Sequence, residues 1–191
     1  MSLIDPSTAP AKTLDELEVS FEFFPPRGTH MGQRLQQTAE KLATLKPNFV
    51  SVTYGAGGTT RDKTLETALE IQNGTGIPTA AHLTCVGASR GEADDIARHY
   101  WAQGIRHIVA LRGDPESGSA DYRPHADGYP FASDLVAGLR RIEGFEISVA
   151  AYPETHPEAR SAHADLDNLK RKIDAGADRA ITQLFFDPDV F

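Results

Sequence analysis

Two hydrophobic periods alternate along the chain. Val19–Phe24 is β-rich and stops at Pro25-Pro26, which cannot extend a hydrogen-bonded ladder. Met31–Lys46 then places Leu35, Ala39, Leu42 and Leu45 at near-helical spacing and ends before Pro47. Phe49–Thr53 reads as a strand and Tyr54–Thr60 as a turn. Lys63–Gln72 reads as a helix with Leu65, Leu69 and Ile71 apolar, ended by Asn73-Gly74. The same pairing recurs in Pro78–Leu83 (strand) and Glu92–Gln103 (helix). In that helix Ile96, Tyr100 and Trp101 turn inward, and Gly104 caps it. Arg106–Leu111, Glu146–Ala151 and Arg179–Phe185 are strands, separated by helices at Leu135–Ile142 and Asp165–Ala175. Residues 1–18 are polar and Pro-containing, a loosely ordered lead-in with at most a short helix at Asp15–Glu18.

Six strands and five intervening helices in βα order predict a parallel sheet covered by helices. A doubly wound open sheet gathers its ligand at one crevice, whereas a barrel builds its site around one rim from many strand ends. The polar clusters sit near the C-terminal ends of all six strands: Glu22, Thr53-Tyr54, His82, Arg112-Gly113-Asp114, Tyr152 and Gln183. That distribution favours an α/β fold of the (β/α)8 TIM-barrel type, with about six βα units within residues 19–191.

Composition narrows the function. Forty per cent apolar and 24% charged residues are ordinary for a globular chain of 191 residues. No apolar run approaches the roughly 20 residues of a bilayer span, and residues 1–18 lack a secretory pattern. With one cysteine, Cys85, an internal disulfide is impossible and a cysteine-based zinc site is not expected. A net charge of −8 and no Lys/Arg cluster argue against a nucleic-acid partner. The expectation is a soluble cytoplasmic protein that handles small molecules.

Several residues stand out chemically, each with a plainer alternative. Glu22 lies in Phe21-Glu22-Phe23-Phe24-Pro25-Pro26; burial among rings would raise its pKa and suit a general acid, unless it is an edge residue reaching water. Gly55-Ala56-Gly57-Gly58-Thr59-Thr60-Arg61 fails the dinucleotide fingerprint at its third glycine, and no acidic residue follows at the required distance. It reads as open backbone that admits a flat ligand beside Thr53 and Tyr54, or as a plain turn. Arg112-Gly113-Asp114 opens a long loop in which Arg112 suits a phosphate, Gly113 a close backbone approach and Asp114 a rim charge; a simple Arg–Asp surface pair is the alternative. The Asp165–Asn168–Lys172 stripe, taken alone, is a solvated helix face with an Asp167–Arg171 pair. Gln183 lies in an apolar strand, where a ligand and a core hydrogen bond are equally good partners. His82 and Cys85 alone are more often packed residues than catalysts. His156 and His163 lack a third ligand, so no metal is expected.

Together these segments resemble the methylenetetrahydrofolate reductase family. The resemblance rests on Phe21–Pro26, Val52–Arg61 (VTYGAGGTTR), His82–Cys85 (HLTC), Leu111–Pro115 (LRGDP), Tyr152–Ala159 (YPETHPEA), Asp165–Gly176 (DLDNLKRKIDAG) and Ile181–Phe186 (ITQLFF), in family order. It implies ping-pong hydride transfer through FAD from NADH or NADPH to 5,10-methylenetetrahydrofolate, giving 5-methyltetrahydrofolate. Glu22 then corresponds to the acid that protonates the folate nitrogen, Asp114 to a catalytic charge near flavin and folate, and Gln183 to the pterin-binding glutamine. Flavin contacts carry over to Thr53, Tyr54, Ala56, His82, Arg112, Gly113, Asp114, Phe131 and Ala132. They continue at Tyr152, His156, Ala159, Asp165, Asn168, Arg171 and Lys172. On this reading the polar stripe of the fifth helix faces the cofactor.

Two departures from the family pattern are visible. Phe131 stands where many relatives have Tyr, so a hydroxyl contact is lost or supplied by Tyr129. Family catalytic domains are also longer, so six strands leave open edges and uncovered apolar surface. The expectation is a fragment with weak FAD retention and little turnover, or a homo-oligomer in which a second copy supplies the missing wall. The competing functional readings are a non-catalytic flavin- or folate-binding fragment and, more distantly, a proline-oxidising flavin barrel. No ribose-reading motif separates NADH from NADPH.

Overall fold

A computed structural model describes residues 18–54, 61–114 and 122–190. The elements are β1 (Ser20–Phe23), α1 (Thr29–Ala43), β2 (Phe49–Val52), α2 (Arg61–Thr75), β3 (Thr79–Thr84) and α3 (Arg90–Ala102). They continue as β4 (His107–Leu111), α4 (Ala132–Leu139), β5 (Glu146–Ala151), α5 (Ala162–Asp174) and β6 (Arg179–Thr182), followed by a 3-10 turn at Pro188–Val190. All six strands are parallel, and each pairs with the next in sequence, so the sheet order is β1-β2-β3-β4-β5-β6. A doubly wound sheet reverses its order partway; this one never does, and the fold is a partial (β/α)8 barrel.

Strand alternation divides the sheet into two faces. Phe23, Val50, Val52, Ala81, Leu83, Ile108, Ala110, Ile147 and Val149 face the helices and form one core with Ile71, Tyr100 and Leu135. The opposite face is polar and still buried at Ser51, His82, His107 and Ser148. There His107 Nε2 and Ser148 Oγ lie 2.8 Å apart. The last unit is the least covered. α5 contributes no fully buried residue, and Leu166 (63%) and Ile173 (43%) on α5 and Ile181 on β6 are all exposed. Val19, Met31 and Leu45 are exposed near the other border. The uncovered apolar surface expected from the sequence is therefore present at both sides of the sheet.

Element ends depart from the periodicity for local reasons. α2 runs through Asn73-Gly74 and ends at Gly76, the residue with positive φ (73°). Gly74 lies inside α2 with the end of the Gln36 side chain of α1 packed where a Cβ would stand. α1 stops at Ala43, three residues early, as Leu45 and Lys46 bond back to Leu42 and Ala43 in a tightened turn. Lys46 precedes Pro47, which disfavours helix at that position, and Leu45 is left out of the buried stripe. α4 begins three residues early because the Asp134 carboxylate accepts the Phe131 N–H at 3.1 Å. α3 likewise starts at Arg90, behind a capping box formed by Ser89 and Glu92. β6 ends at Thr182 rather than Phe185, with one further bond from Gln183 N to Ala151 O. The glycine-rich segment 55–60, Ala56 included, and residues 1–17 lie outside the described residues.

One polar knot ties α4, β5 and β6 together. Arg140 donates to Phe145 O at 2.6 Å, to Gly176 O at 2.8 Å and to the Asp178 carboxylate, which also accepts the Ile147 N–H at 2.7 Å. Asp178→Ala removes the acceptor from both donors. Urea unfolding is expected to show a loss of about 2 kcal/mol; an unchanged midpoint would remove this knot from the account of stability.

Candidate active site

The strand C-termini, the loops after β4 and β5 and the start of α4 enclose a cavity of about 450 Å³. Its floor is Thr84, Ala110, Leu111 and Ala150, mostly small side chains at the upper ends of β3, β4 and β5. Tyr54, Tyr152 and Phe131 supply aromatic walls, and Gln183 enters from the end of β6. Arg112, Gly113 and Asp114 come from the loop after β4; His156, Glu158 and Ala159 come from the loop after β5. Ala132 and Ser133 add the first turn of α4, and Asp165, Asn168 and Lys172 line it from α5.

The loop after β4 is braced from below. Cys85 and Val86 donate backbone hydrogen bonds to Leu111 O and Arg112 O. Gly113 has φ 86°, and a Cβ there would meet Val86 Cγ1 at 2.5 Å. This internal contact and the backbone shape by themselves require glycine here, and Gly113 also lines the cavity, where the sequence expects a close ligand approach. Arg112 is held in a bidentate pair with Glu158, at 2.6 and 3.1 Å, and lies 4.4 Å over the Tyr122 ring. The pair raises the Arg112 pKa and lowers that of Glu158. The sequence alternative of an Arg112–Asp114 pair gives way to Arg112–Glu158, a partner 46 residues away.

The loop after β5 folds by its own side chains. His156 Nδ1 accepts the Glu158 N–H at 3.0 Å, and the His156 N–H donates to the Asp165 carboxylate at 2.9 Å. Tyr152 packs edge-on against the His156 ring at 4.5 Å. Burial raises the Tyr152 pKa, with the Asp114 charge adding to it and a hydrogen bond from Gln183 opposing it. Gln183 is exposed at the cavity rather than buried in a strand. Lys172 donates from Nζ to Ala150 O at 2.6 Å, and burial lowers its pKa against the pull of Asp165. The α5 polar stripe therefore faces the cavity. The Asp167–Arg171 pair expected on a solvated face does not form: Asp167 lies 3.8 Å from His163, and Arg171 bonds Asn168.

Four sequence candidates lie away from this lining. Arg171 is exposed on α5, and Thr53 pairs with Phe23 O through its backbone N–H. Glu22 and His82 project from β1 and β3 on the polar face of the sheet, where Glu22 Oε2 and His82 Nε2 are 3.4 Å apart. Glu22 is not enclosed by rings: it is an exposed side chain on the edge strand, with Phe24 exposed and Phe23 facing the helices, so it reaches water as the plainer alternative expected. Its partial burial still raises its pKa, the direction suited to an acid. Tyr129 cannot replace a hydroxyl at Phe131: its OH donates to Asp94 at 2.8 Å, and its ring is buried against Gly138 beneath α4. Glu158 was not singled out by sequence, because its partner is remote along the chain. Ala110 and Ala150 carried a usable signal, small residues in strands otherwise rich in Val and Ile.

Burial, and then the charge of His107, lower the His82 pKa from 6.5 to about 4. Between those values the unfolded chain binds a proton that the folded chain refuses, so stability falls as pH drops through that window. Wild type is expected to lose about 2–3 kcal/mol more than His82→Gln between pH 7 and pH 4. Equal losses in parallel denaturation series would contradict the assignment.

The methylenetetrahydrofolate reductase family profile matches residues 9–191. The chain is 54% identical over 181 residues to 5,10-methylenetetrahydrofolate reductase of Salmonella typhimurium, covering 95% of this chain and 59% of that protein. It is 41% identical over 183 residues to a probable methylenetetrahydrofolate reductase (NADH) of Oryza sativa, covering 90% of this chain and 31% of the relative. Among solved structures, 2,3-dimethylmalate lyase superposes with a TM-score of 0.60 at 11% identity, over 92% of this chain and 60% of that one, a likeness of fold.

Proposed function

The chain belongs to the methylenetetrahydrofolate reductase family, and from that premise we propose that its cavity binds FAD and that the barrel reduces 5,10-methylenetetrahydrofolate to 5-methyltetrahydrofolate. NADH or NADPH is the co-substrate, and the name of the rice relative favours NADH. Residues 19–191 are the catalytic barrel portion, preceded by residues 1–18, and the activity belongs to the cytoplasm. No helix among the described residues is long and apolar enough to cross a membrane.

The donor set suits a flavin nucleotide. Two cationic side chains, Arg112 and Lys172, suit phosphate; Asp165 and Asn168 suit ribose hydroxyls; Tyr54, Tyr152 and Leu111 suit a flat ring system. FAD held by these residues would supply hydride transfer between the nicotinamide nucleotide and the methylene carbon, in alternating half-reactions. This chain's residues do the rest. Glu22, accessible from solvent on the edge strand β1 and with its pKa raised by the part of its surface that is covered, gives a proton to the folate nitrogen as the five-membered ring opens. Asp114 stands as a negative charge at the cavity, opposing electron gain nearby and favouring a cationic ring-opened folate. Gln183, bonded to Tyr152, presents its amide to the pterin.

The observation that carries this reading is the joining of Arg112, Lys172, Asp114 and Gln183 in one cavity at the strand ends. The test is anaerobic absorbance of the flavin-loaded protein. NADH is expected to bleach the flavin and methylenetetrahydrofolate to restore its colour. Flavin that binds but never bleaches would overturn the proposal.

A further inference from the structure

His82 and Glu22 meet across an intervening strand. In the ladder Glu22 of β1 lies beside Ser51 of β2, and Ser51 beside Ala80 of β3. His82 is two residues beyond Ala80, on the same face and nearer the strand's C-terminal end. Ser51 and Ala80 are small, which leaves a passage over β2 through which the carboxylate and the imidazole come to 3.4 Å. His82 is 9% exposed, and its Nε2 is buried with no hydrogen-bond partner among the described residues. A buried ring nitrogen without a partner is costly unless a group comes within reach. The carboxylate of Glu22 is the group in place to do so. Contacts of this kind are commonly long before substrate binds.

The other charged groups on this face are committed elsewhere. His107, on β4, bonds Ser148, and Glu146 of β5 pairs with Arg179 of β6 at 2.7 Å. Asp178, which precedes β6, is held off this face by Arg140 at the end of α4 and by the Ile147 N–H. The electrostatic environment of His82, dominated by burial and by His107, keeps its imidazole neutral near pH 7. A neutral imidazole carries one N–H, which suffices to donate to one carboxylate oxygen.

We propose that His82 is a positioning residue for Glu22: its Nε2–H donates to Oε2 and leaves Oε1 to carry the proton delivered to substrate. This rests on the reading of Glu22 as the acid. In the step, the Oε1–H bond breaks and its electron pair stays on the carboxylate. The folate nitrogen's lone pair takes the proton and forms the new N–H bond. The His82 N–H then stabilises the carboxylate that remains. His82 acts through the acid, which explains why it stands apart from the cavity lining that holds Arg112 and Lys172.

The test is a 13C NMR titration of the Glu22 carboxyl in this chain, its signal assigned by disappearance in E22Q. A lost neutral donor raises a carboxyl midpoint by about half to one pH unit, and that shift is expected in H82L. H82Q, whose amide nitrogen reproduces Nε2, is expected to hold the wild-type midpoint. H82N, whose shorter amide cannot reach, is expected to shift like H82L, so the Gln–Asn comparison decides the matter if the leucine variant fails to fold. An unmoved midpoint in H82N would overturn the proposal. So would equal shifts in H82Q and H82N. The titration needs no turnover; failure of the acid reading itself shows separately, as folate reduction persisting in E22Q.

Discussion

Lys172→Met is expected to weaken FAD binding by about 10- to 100-fold, the equivalent of losing one charge-assisted hydrogen bond of about 1.5–3 kcal/mol. Lys172 reaches the cavity from α5 and is anchored by a single carbonyl, Ala150 O. Its pKa is lowered by burial, so the protein holds this charge at a cost that an anionic ligand would offset. A phosphate-bearing cofactor is such a ligand. Methionine keeps the length and apolar stem, and relief of the desolvation cost of the charge offsets the hydrogen bond that Ala150 O loses. The thermal midpoint of the variant should therefore stay close to wild type while flavin fluorescence titration shows the loss. Affinity unchanged in K172M would move the phosphates elsewhere in the cavity.

Glu22→Gln is expected to slow reduction of methylenetetrahydrofolate by about 10²- to 10⁴-fold, the range for loss of a positioned general acid. Reduction of the flavin by NADH should stay within about threefold of wild type, because that half-reaction asks nothing of the acid. Gln fills the same volume on the polar face but has no proton to give at neutral pH. The raised Glu22 pKa sets the sign of the pH dependence in the wild type: folate reduction falls as pH rises and the carboxyl empties. E22Q should lose that limb. Stopped-flow traces of the two half-reactions separate the outcomes, and equal slowing of both would mark Glu22 as structural.

The alternation of strands and helices was legible because each strand is flanked by turn residues and each helix buries a stripe. What escaped were features set by partners distant in sequence. α2 passes through Asn73-Gly74, where the helix packs against Gln36 of α1, and breaks only at Gly76; nothing within the segment tells the two glycines apart. Arg112 was readable as a cavity residue from its place after β4, yet its partner Glu158 sits after the next strand, in an exposed loop. Gln183 looked buried within Ile181–Phe186, but the ladder ends at Thr182, which turns the amide toward the cavity. Glu22 was legible as a carboxyl in an aromatic run. Its meeting with His82 depends on the register of three strands and on two small residues between them.

We assign the cavity framed by Arg112, Asp114, Lys172 and Gln183 to a flavin. Equilibrium titration of FAD into the protein, followed by flavin fluorescence and competed with ADP, tests it most directly. Saturable one-to-one binding that ADP displaces and K172M weakens is the predicted result; no saturable change, or binding indifferent to both, would contradict it.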